Sequence, residues 1–225
     1  MTIREHSKRI SDYFEMSCYN LIVKYFEGLG YTVTPDNLKG GKFVYKCSPS
    51  GLLKNFSYFR AEKTSESDSV SIRILHNATC QSAFSDGVYT TPDIVISRDS
   101  EPAETMDYYK SKRRMTYVNR DNLISFCEAK HLTPFPELII NFIGTVNELK
   151  PMCLSSSLSA NEDDFIAPSL MMSGALNKPT QRIKEALEAR YLINVLDDLF
   201  NNEAKKILEP FSADKISTLG HKKVV

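Results

Sequence analysis

TTPDIVIS (residues 90–97) and LISFCEAKHL (residues 123–132) are the stretches that decide how this chain is expected to fold. Each is an apolar, β-rich run with charged side chains at one end, Asp93 in the first and Glu128 and Lys130 in the second. Alternate side chains of a strand point to opposite faces, so Glu128 and Lys130 share a face and Ala129 points away. Charges in an apolar strand are costly unless they are paired or bind a metal. The sequence therefore predicts a functional site at the ends of these two strands.

The hydrophobic periodicity on either side predicts the other elements. Apolar residues four or seven apart indicate an amphipathic helix over residues 3–29. Short β-rich runs over residues 42–96, beginning with KFVYKC, indicate an antiparallel meander. Residues 97–121 are polar and are predicted to be irregular, and most of this segment is expected to be an exposed insertion. Pro134 and Pro136 introduce a predicted helix that runs to about Leu149.

The rest of the chain is predicted to add one strand and a helical segment. Residues 151–154 are expected to form a short parallel strand that completes a β-α-β unit. The Ser-rich, acidic stretch of residues 155–164 is typical of a linker, and a helix is predicted from about Thr180 to Asn201. We therefore expect a core over residues 1–154, then a linker and a helical C-terminal segment over residues 155–225, packed on the core or in a dimer contact.

The composition is that of an ordinary globular protein. Its 225 residues, 42% hydrophobic and 25% charged, exclude the disordered, collagen-like and coiled-coil classes. No apolar stretch approaches the roughly 20 residues that span a bilayer, and the N-terminus has no secretion signal, so we expect a cytoplasmic protein that does not bind a membrane. The five cysteines are scattered singly, which argues against a zinc site or a disulfide framework.

The charge balance limits how a polyanion could bind. Lys plus Arg and Asp plus Glu number 28 each, so there is no global field, and contact with a nucleic acid must rest on a local patch. The candidate patch is a basic run in the predicted insertion, which is either a solvated loop or a set of phosphate contacts beside an active site. Its residues are Lys110, Lys112, Arg113 and Arg114.

Asp93, Glu128 and Lys130 are the residue types that phosphodiester hydrolysis requires. A divalent cation neutralises the charge that builds on the phosphate and helps to form a hydroxide-like nucleophile. Mg²⁺ is held by one or two carboxylates plus water and substrate phosphate, and a nearby ammonium can orient the attacking water. The alternative is a structural salt bridge between Glu128 and Lys130 at a sheet edge, with Asp93 ending a turn.

Pro92-Asp93 followed by Glu128-x-Lys130 resembles the signature of the PD-(D/E)xK nuclease superfamily. The resemblance covers about residues 1–154 and implies a restriction-endonuclease-like α/β fold. In that fold helices flank a mixed β-sheet core, in the order α-β-β-β-α-β. It also implies that Asp93 and Glu128 bind Mg²⁺, for which Mn²⁺ substitutes, and that Lys130 positions the attacking water.

Other polar residues have two interpretations each. Many members of the superfamily add a glutamate on the first core helix, and Glu15 is the candidate because its helical spacing turns it toward the packed face; the alternative is a solvated helix residue. Glu137 either reaches the site or favours the helix dipole. His76 and His131 are interpreted as structural residues.

The resemblance implies a Mg²⁺-dependent deoxyribonuclease, an endonuclease that cuts DNA in a restriction or anti-phage defence system. The alternatives are a repair or recombination nuclease specific for DNA structure, and a catalytically silent nucleic-acid-binding or assembly module. A homodimer is expected because cutting two strands with one site per chain usually takes two chains. A partner protein in a multi-component system is a further possibility.

Overall fold

The computed structural model describes residues 10–65, 69–106, 114–155 and 166–199. They form a mixed α/β fold with a mostly antiparallel seven-stranded sheet and three α-helices. The helices are α1 (Ile10–Gly28), α2 (Pro136–Leu149) and α3 (Lys178–Glu188). Within the described ranges, none of the helices has both the length and the apolar character that a membrane span needs.

Eleven strands are described, seven of which form the main sheet. In chain order the strands are β1 (Thr32–Asp36), β2 (Tyr58–Thr64), β3 (Ser69–His76), β4 (Cys80–Gln81), β5 (Tyr89–Thr90), β6 (Ile94–Arg98), β7 (Ala103–Thr105), β8 (Met115–Tyr117), β9 (Leu123–Lys130), β10 (Ser169–Met172) and β11 (Asn194–Leu196). The main sheet has the spatial order β1-β2-β3-β6-β9-β10-β11. Strands β1 to β9 of this sheet pair antiparallel, whereas β9, β10 and β11 run parallel.

One end of the main sheet, which we call the Lys130 end, collects several strand termini. The last residue of β1 pairs with the first of β2, and the last residue of β3 pairs with the first of β6. Strand β9 also finishes at this end, where Lys130 pairs with Met172 of β10. The chain therefore enters and leaves several neighbouring strands at this end of the sheet.

Helices cover both faces of the sheet. Ile94 and Ile96 pack in the core that α1 covers, whereas Val95 packs in the core that α2 and α3 cover. This alternation places β6 between two hydrophobic layers. A strand buried on both faces needs apolar residues on both, which is why IVI at residues 94–96 and LISFC at residues 123–127 read as nearly continuous apolar runs.

The predictions of the central strand β9 and of the helix ending at Leu149 are confirmed, but the parallel strand is elsewhere. Residues Pro151–Leu154 form a 3-10 helix instead of a strand. Pro151 has a fixed φ and no N–H, which suits the first position of a helical turn. The parallel partner of β9 is β10, so the main sheet continues beyond Leu154.

The predicted C-terminal helix from Thr180 to Asn201 is wrong in its second half. Helix α3 ends at Glu188, and residues Asn194–Leu196 form β11, which pairs with β10. Val195 has the spacing of a helix face, but it is buried as part of a strand. The apolar periodicity of a short segment does not distinguish the two structures, and the tertiary pairing decides.

Two predictions about the loops are also wrong. KFVYKC (residues 42–47) lies outside the strands, and the first strand is β1, before it. The insertion of residues 97–121 is not all irregular, because β7 and β8 form an antiparallel ladder within it. Both errors involve short segments, for which local β propensity does not decide whether a strand forms.

Phe126→Ala is expected to lower the free energy of unfolding by about 3–5 kcal/mol, measured by urea denaturation. Phe126 is 0% exposed and its ring packs on Phe142, so truncation leaves a cavity under α2. The matched control is Phe84→Ala, because Phe84 is 62% exposed and its loss is expected to change stability by less than about 0.5 kcal/mol. Equal losses in the two variants would contradict the described core.

Candidate active site at the Lys130 end

Asp93 immediately precedes β6, at the point where β9 extends beyond β6 and pairs only with β10. Strand β6 starts at Ile94, which pairs with Cys127, so the last residues of β9 run past its first residue. The Asp93 carboxylate occupies this place and accepts a hydrogen bond of 2.7 Å from the backbone N–H of Ala129. The Asp93 side chain thus satisfies the buried N–H of Ala129 at the point where the pairing of β6 with β9 ends.

The ammonium of Lys130 joins the two carboxylates that the sequence singled out. Its Nζ donates to Asp93 Oδ2 at 2.8 Å and to Glu128 Oε2 at 2.7 Å. These two oxygens can be no farther apart than the sum of those distances. The side chains of Asp93 and Glu128 are only 12% and 15% exposed, and that of Lys130 is 34% exposed. We call Asp93 and Glu128 the carboxylate pair.

Burial and mutual charge determine the protonation of these groups. Burial, and after it the charge of Asp93, raises the pKa of Glu128 to about 7. Burial disfavours the ammonium form of Lys130, but the charges of Glu128 and Asp93 outweigh it and raise the pKa of Lys130 above its ordinary value. Lys130 therefore stays protonated at neutral pH, whereas the carboxyl of Glu128 titrates there.

Helix α1 brings Glu15 to the same end of the sheet. Its side chain is 22% exposed, and Oε2 lies 3.8 Å from Nε2 of His76. Burial, and after it the charge of Asp93, raises the pKa of Glu15 to about 7, while the charge of Lys130 acts in the opposite direction. Glu15 therefore lies in the electrostatic field of the carboxylate pair and its lysine, and not in bulk solvent.

His76 is a buried part of the site wall. Its side chain is 1% exposed, and its ring lies against those of Tyr19 and Tyr45. Burial lowers its pKa to about 4, so the imidazole is neutral at physiological pH. Its Nδ1 has no hydrogen-bond partner within the described part of the chain. This agrees with its interpretation as a structural residue, although it also contacts Glu15.

Sequence reasoning missed Asn77 and Lys46, which tie a loop to the site. The backbone N–H of Asn77 donates to the carbonyl of Asp93 at 2.8 Å, and its side chain bonds to Glu15. Asn77 Nδ2 also donates to the carbonyl of Lys46, while Lys46 Nζ donates back to the carbonyl of Asn77 at 2.6 Å. The sequence signal for Asn77 is weak. Asn77 has a left-handed φ of 50°, and Asn tolerates this conformation, but an Asn in the sequence does not by itself predict it.

Lys46 is a buried cation held by the backbone. It is 2% exposed, and its Nζ donates to the carbonyls of Ser48 and Pro49 as well as to that of Asn77. Burial lowers its pKa to about 8. Three carbonyl acceptors thus compensate an ammonium that would be costly in this position without them.

The other predicted residues lie outside this group. Lys110, Lys112 and Arg113 lie outside the described residues, and Arg114 is 57% exposed with its Nε 3.4 Å from Glu104. Glu137 is exposed in the first turn of α2, where a carboxylate favours the helix dipole. The ring of His131 packs on Phe14, in agreement with the packing role assigned to it.

A cavity of about 290 Å³ adjoins the site. His76 contributes to its lining, but neither the carboxylate pair nor Lys130 does. Three cations in the lining, Lys54, Arg60 and Arg73, each lie within ion-pair distance of carboxylates, which are those of Asp36, Asp99, Glu101 and Glu104. The cavity is therefore a charge-compensated space beside the site, separate from its chemistry.

The donor atoms of the carboxylate pair suit a hard divalent cation. Within the described ranges, no three His, Cys, Asp or Glu side chains converge closely enough to enclose a metal ion. Mg²⁺ needs fewer protein ligands than that, because it keeps several waters and binds substrate phosphate. Burial, and after it the charge of Asp93, raises the pKa values of Glu128 and Glu15, and a bound cation would favour their charged forms. Asp93 and Glu128 therefore fit Mg²⁺ or Mn²⁺.

Glu128→Gln is expected to stabilise the metal-free protein increasingly as the pH rises. A carboxyl whose pKa is higher in the folded chain, about 7 against 4.5, binds more protons when folded, so its contribution to stability falls between these values. The variant does not lose this contribution, so its free energy of unfolding should rise by about 3 kcal/mol relative to that of the parent between about pH 4 and pH 8. Urea unfolding in EDTA measures the difference.

The matched control for this prediction is Glu137→Gln, which makes the same chemical change at an exposed position. The free energy of unfolding of the parent is subtracted from that of each variant at each pH. This removes the contribution of His76, whose lowered pKa makes stability rise with pH where the raised pKa of Glu128 makes it fall. A difference that does not grow with pH for Glu128→Gln, or that grows equally for both variants, would show that the buried site does not hold Glu128 in its protonated form.

Comparison with known proteins adds no relative from which a role could be transferred: no protein-family model, curated protein or solved structure matches this chain. The assignment of function must therefore start from the geometry and chemistry of the carboxylate pair and Lys130.

Proposed function

We propose that this protein is a metal-dependent endonuclease that hydrolyses phosphodiester bonds in DNA, with Mg²⁺ as cofactor and Mn²⁺ as its substitute. The observation that carries the proposal is the bridging position of Lys130, whose ammonium donates to both Asp93 and Glu128 at the ends of neighbouring strands. A merely structural Glu128–Lys130 salt bridge would not require the carboxylate of Asp93 as a third member.

The order of elements also supports the proposal. Helix α1, strands β3, β6 and β9, helix α2 and strand β10 occur in the order α-β-β-β-α-β. The main-sheet strands β1 and β2 are inserted between α1 and β3, and the small ladders β4–β5 and β7–β8 lie between later strands. Asp93 precedes the second of these four strands, and Glu128 and Lys130 end the third. This is the arrangement that resemblance to the PD-(D/E)xK superfamily implies for its restriction-endonuclease-like core.

In the proposed reaction, water adds to phosphorus and one P–O ester bond breaks, which leaves a phosphate on one strand end and a hydroxyl on the other. Asp93 and Glu128 would hold the metal ion. When bound there, a divalent ion neutralises the charge that builds on the phosphate oxygens and lowers the pKa of the attacking water. Two of the three N–H donors of Lys130 bond to the carboxylate pair, which leaves one to orient the water.

Lys130 is a positioning group and not the base, because its raised pKa keeps it protonated. Glu15 is the third carboxyl near the site and can accept a proton or hold a further water. By analogy with the superfamily, we propose a restriction or anti-phage defence role. The homodimer stays a prediction; α3, part of the segment predicted to form its contact, packs on α2.

Asp93→Ala and Lys130→Ala are expected to lower the rate of supercoiled-plasmid cleavage in Mg²⁺ or Mn²⁺ at least about 100-fold. Each removes a charged group that acts directly on the metal or the water, and the parent should be inactive in EDTA. Agarose gel electrophoresis measures the rates, and circular dichroism checks that the variants are folded. Full activity in either purified variant would remove the proposal.

Two surface variants serve as matched controls for these substitutions. Asp121→Ala lies in the 3-10 turn just before β9, at the opposite end of the strand, and Lys24→Ala lies on an exposed part of α1. Both should cleave like the parent. If the parent shows no metal-stimulated cleavage, the catalytically silent nucleic-acid-binding module is favoured instead.

A further inference from the structure

We propose that the hairpin of residues 37–42 (NLKGGK), which we call the glycine hairpin, binds the phosphate backbone of DNA beside the cleavage site. The inference rests on the proposed function for the identity of the ligand. It adds a binding element that the site residues themselves do not supply. Its basis is the shape of the hairpin, its charge, its anchoring and its place on the sheet.

The tip of the glycine hairpin is a tight turn without side chains. The N–H of Lys39 donates to the carbonyl of Lys42 at 2.9 Å, and the N–H of Lys42 donates back at 3.1 Å. Gly40 and Gly41 between them have φ of 57° and 73°, a pair of left-handed conformations that favours glycine. A Cβ at either glycine would meet no described atom within 4 Å. The tip therefore projects into open space, where another backbone can approach it closely.

The two lysines that flank the turn are exposed and, within the described ranges, have no carboxylate within ion-pair distance. Lys39 Nζ bonds instead to Asn37 Oδ1 at 2.8 Å and to the carbonyl of Lys54 at 2.9 Å, which are neutral acceptors. Both charges thus remain available to an anion. In a chain whose formal net charge is zero, such a local excess is what attracts a polyanion.

Neighbouring cations extend this positive surface. Lys54 Nζ lies 3.6 Å from Glu104, and Arg114 Nε lies 3.4 Å from the same carboxylate. Lys54 and Arg114 are 59% and 57% exposed, so solvent screens these pairs and they are easily exchanged for phosphate contacts. The surface next to the hairpin therefore carries more positive than negative charge.

Asn37 anchors the base of the hairpin. Its side-chain amide donates to the carbonyls of Lys54 and Phe56 at 2.9 and 2.7 Å, and its own carbonyl accepts from Ser57 Oγ at 3.0 Å. Its φ of 52° turns the chain out of β1. These bonds fix the hairpin before any ligand arrives, so little conformational entropy is lost when it binds.

The hairpin leaves the sheet at the Lys130 end. Strand β1 ends there at Asp36, and two strands, β2 and β3, separate it from β6. Three interstrand spacings amount to about 14 Å, which corresponds to about four base pairs of B-DNA at 3.4 Å each. One short segment of duplex can therefore lie against Asp93 and the glycine hairpin together. Lysine contacts to phosphate fix position without reading sequence.

The test measures DNA binding apart from cleavage. Lys39→Gln/Lys42→Gln is titrated in EDTA against a fluorescein-labelled duplex of about 21 base pairs, two helical turns, and fluorescence anisotropy is followed at several salt concentrations. Loss of two phosphate contacts should make the negative slope of log K against log salt shallower by about 2. It should also reduce the affinity for DNA at about 0.1 M salt at least tenfold. Circular dichroism confirms the fold.

The matched control is Lys24→Gln/Lys63→Gln, which removes the same two charges from α1 and from the far end of β2. It should bind DNA and cleave plasmid like the parent. An unchanged salt slope in the hairpin variant, or an equal loss in the control, overturns the hairpin proposal while the proposed nuclease stands. A parent that does not bind the duplex at all overturns both.

Discussion

The site depends on one buried electrostatic arrangement, the ammonium of Lys130 held between Asp93 and Glu128. Each of the three groups would be costly alone in a largely buried position. Together they still leave the site with an excess of carboxyl groups, because Glu15 adds another within the same field. Burial is the largest cause of the raised pKa of Glu128, and the charge of Asp93 adds to it. The proposed function assigns this arrangement to the binding of a divalent cation.

This arrangement requires a fixed register between two strands. Ile94 pairs with Cys127, which sets Asp93 beside the end of β9, and a slip by one residue would send Glu128 and Lys130 to the opposite face. Burial of β6 and β9 on both faces makes such a slip costly. The parallel strand β10 pairs with the other edge of β9, and α2 packs on one of its faces through Phe142 and Phe126. The hydrophobic layers thus fix the geometry that the charged residues use.

Two different kinds of surface lie at the Lys130 end of the sheet. Around Asp93 the charged groups are largely buried and mutually paired, whereas at the glycine hairpin both lysines are exposed and Lys39 bonds to neutral acceptors. Asn77 and Lys46 connect the two regions, since the loop that follows the hairpin is bonded through them to the backbone of Asp93. Under the two proposals, a chain with no formal net charge would bind a cation at one of these surfaces and an anion at the other.

The sequence by itself determined the residues with the clearest local signals. Strand β9, helix α2 and the members of the carboxylate pair with Lys130 were all predicted, because apolar runs, prolines and isolated charges carry strong physical constraints over a few residues. Glu15 was named with its alternative, since helical spacing gives a face but not what lies opposite it.

Only the tertiary structure decided the rest. Residues 194–196 became a strand because β10 offered a partner, and residues 151–154 became a 3-10 helix because the parallel position beside β9 was occupied by β10. Asn77, Lys46 and the glycine hairpin gave no usable signal, since their roles depend on hydrogen bonds to residues far away in the sequence. Pairing partners and burial are properties of the folded chain, and a local pattern does not contain them.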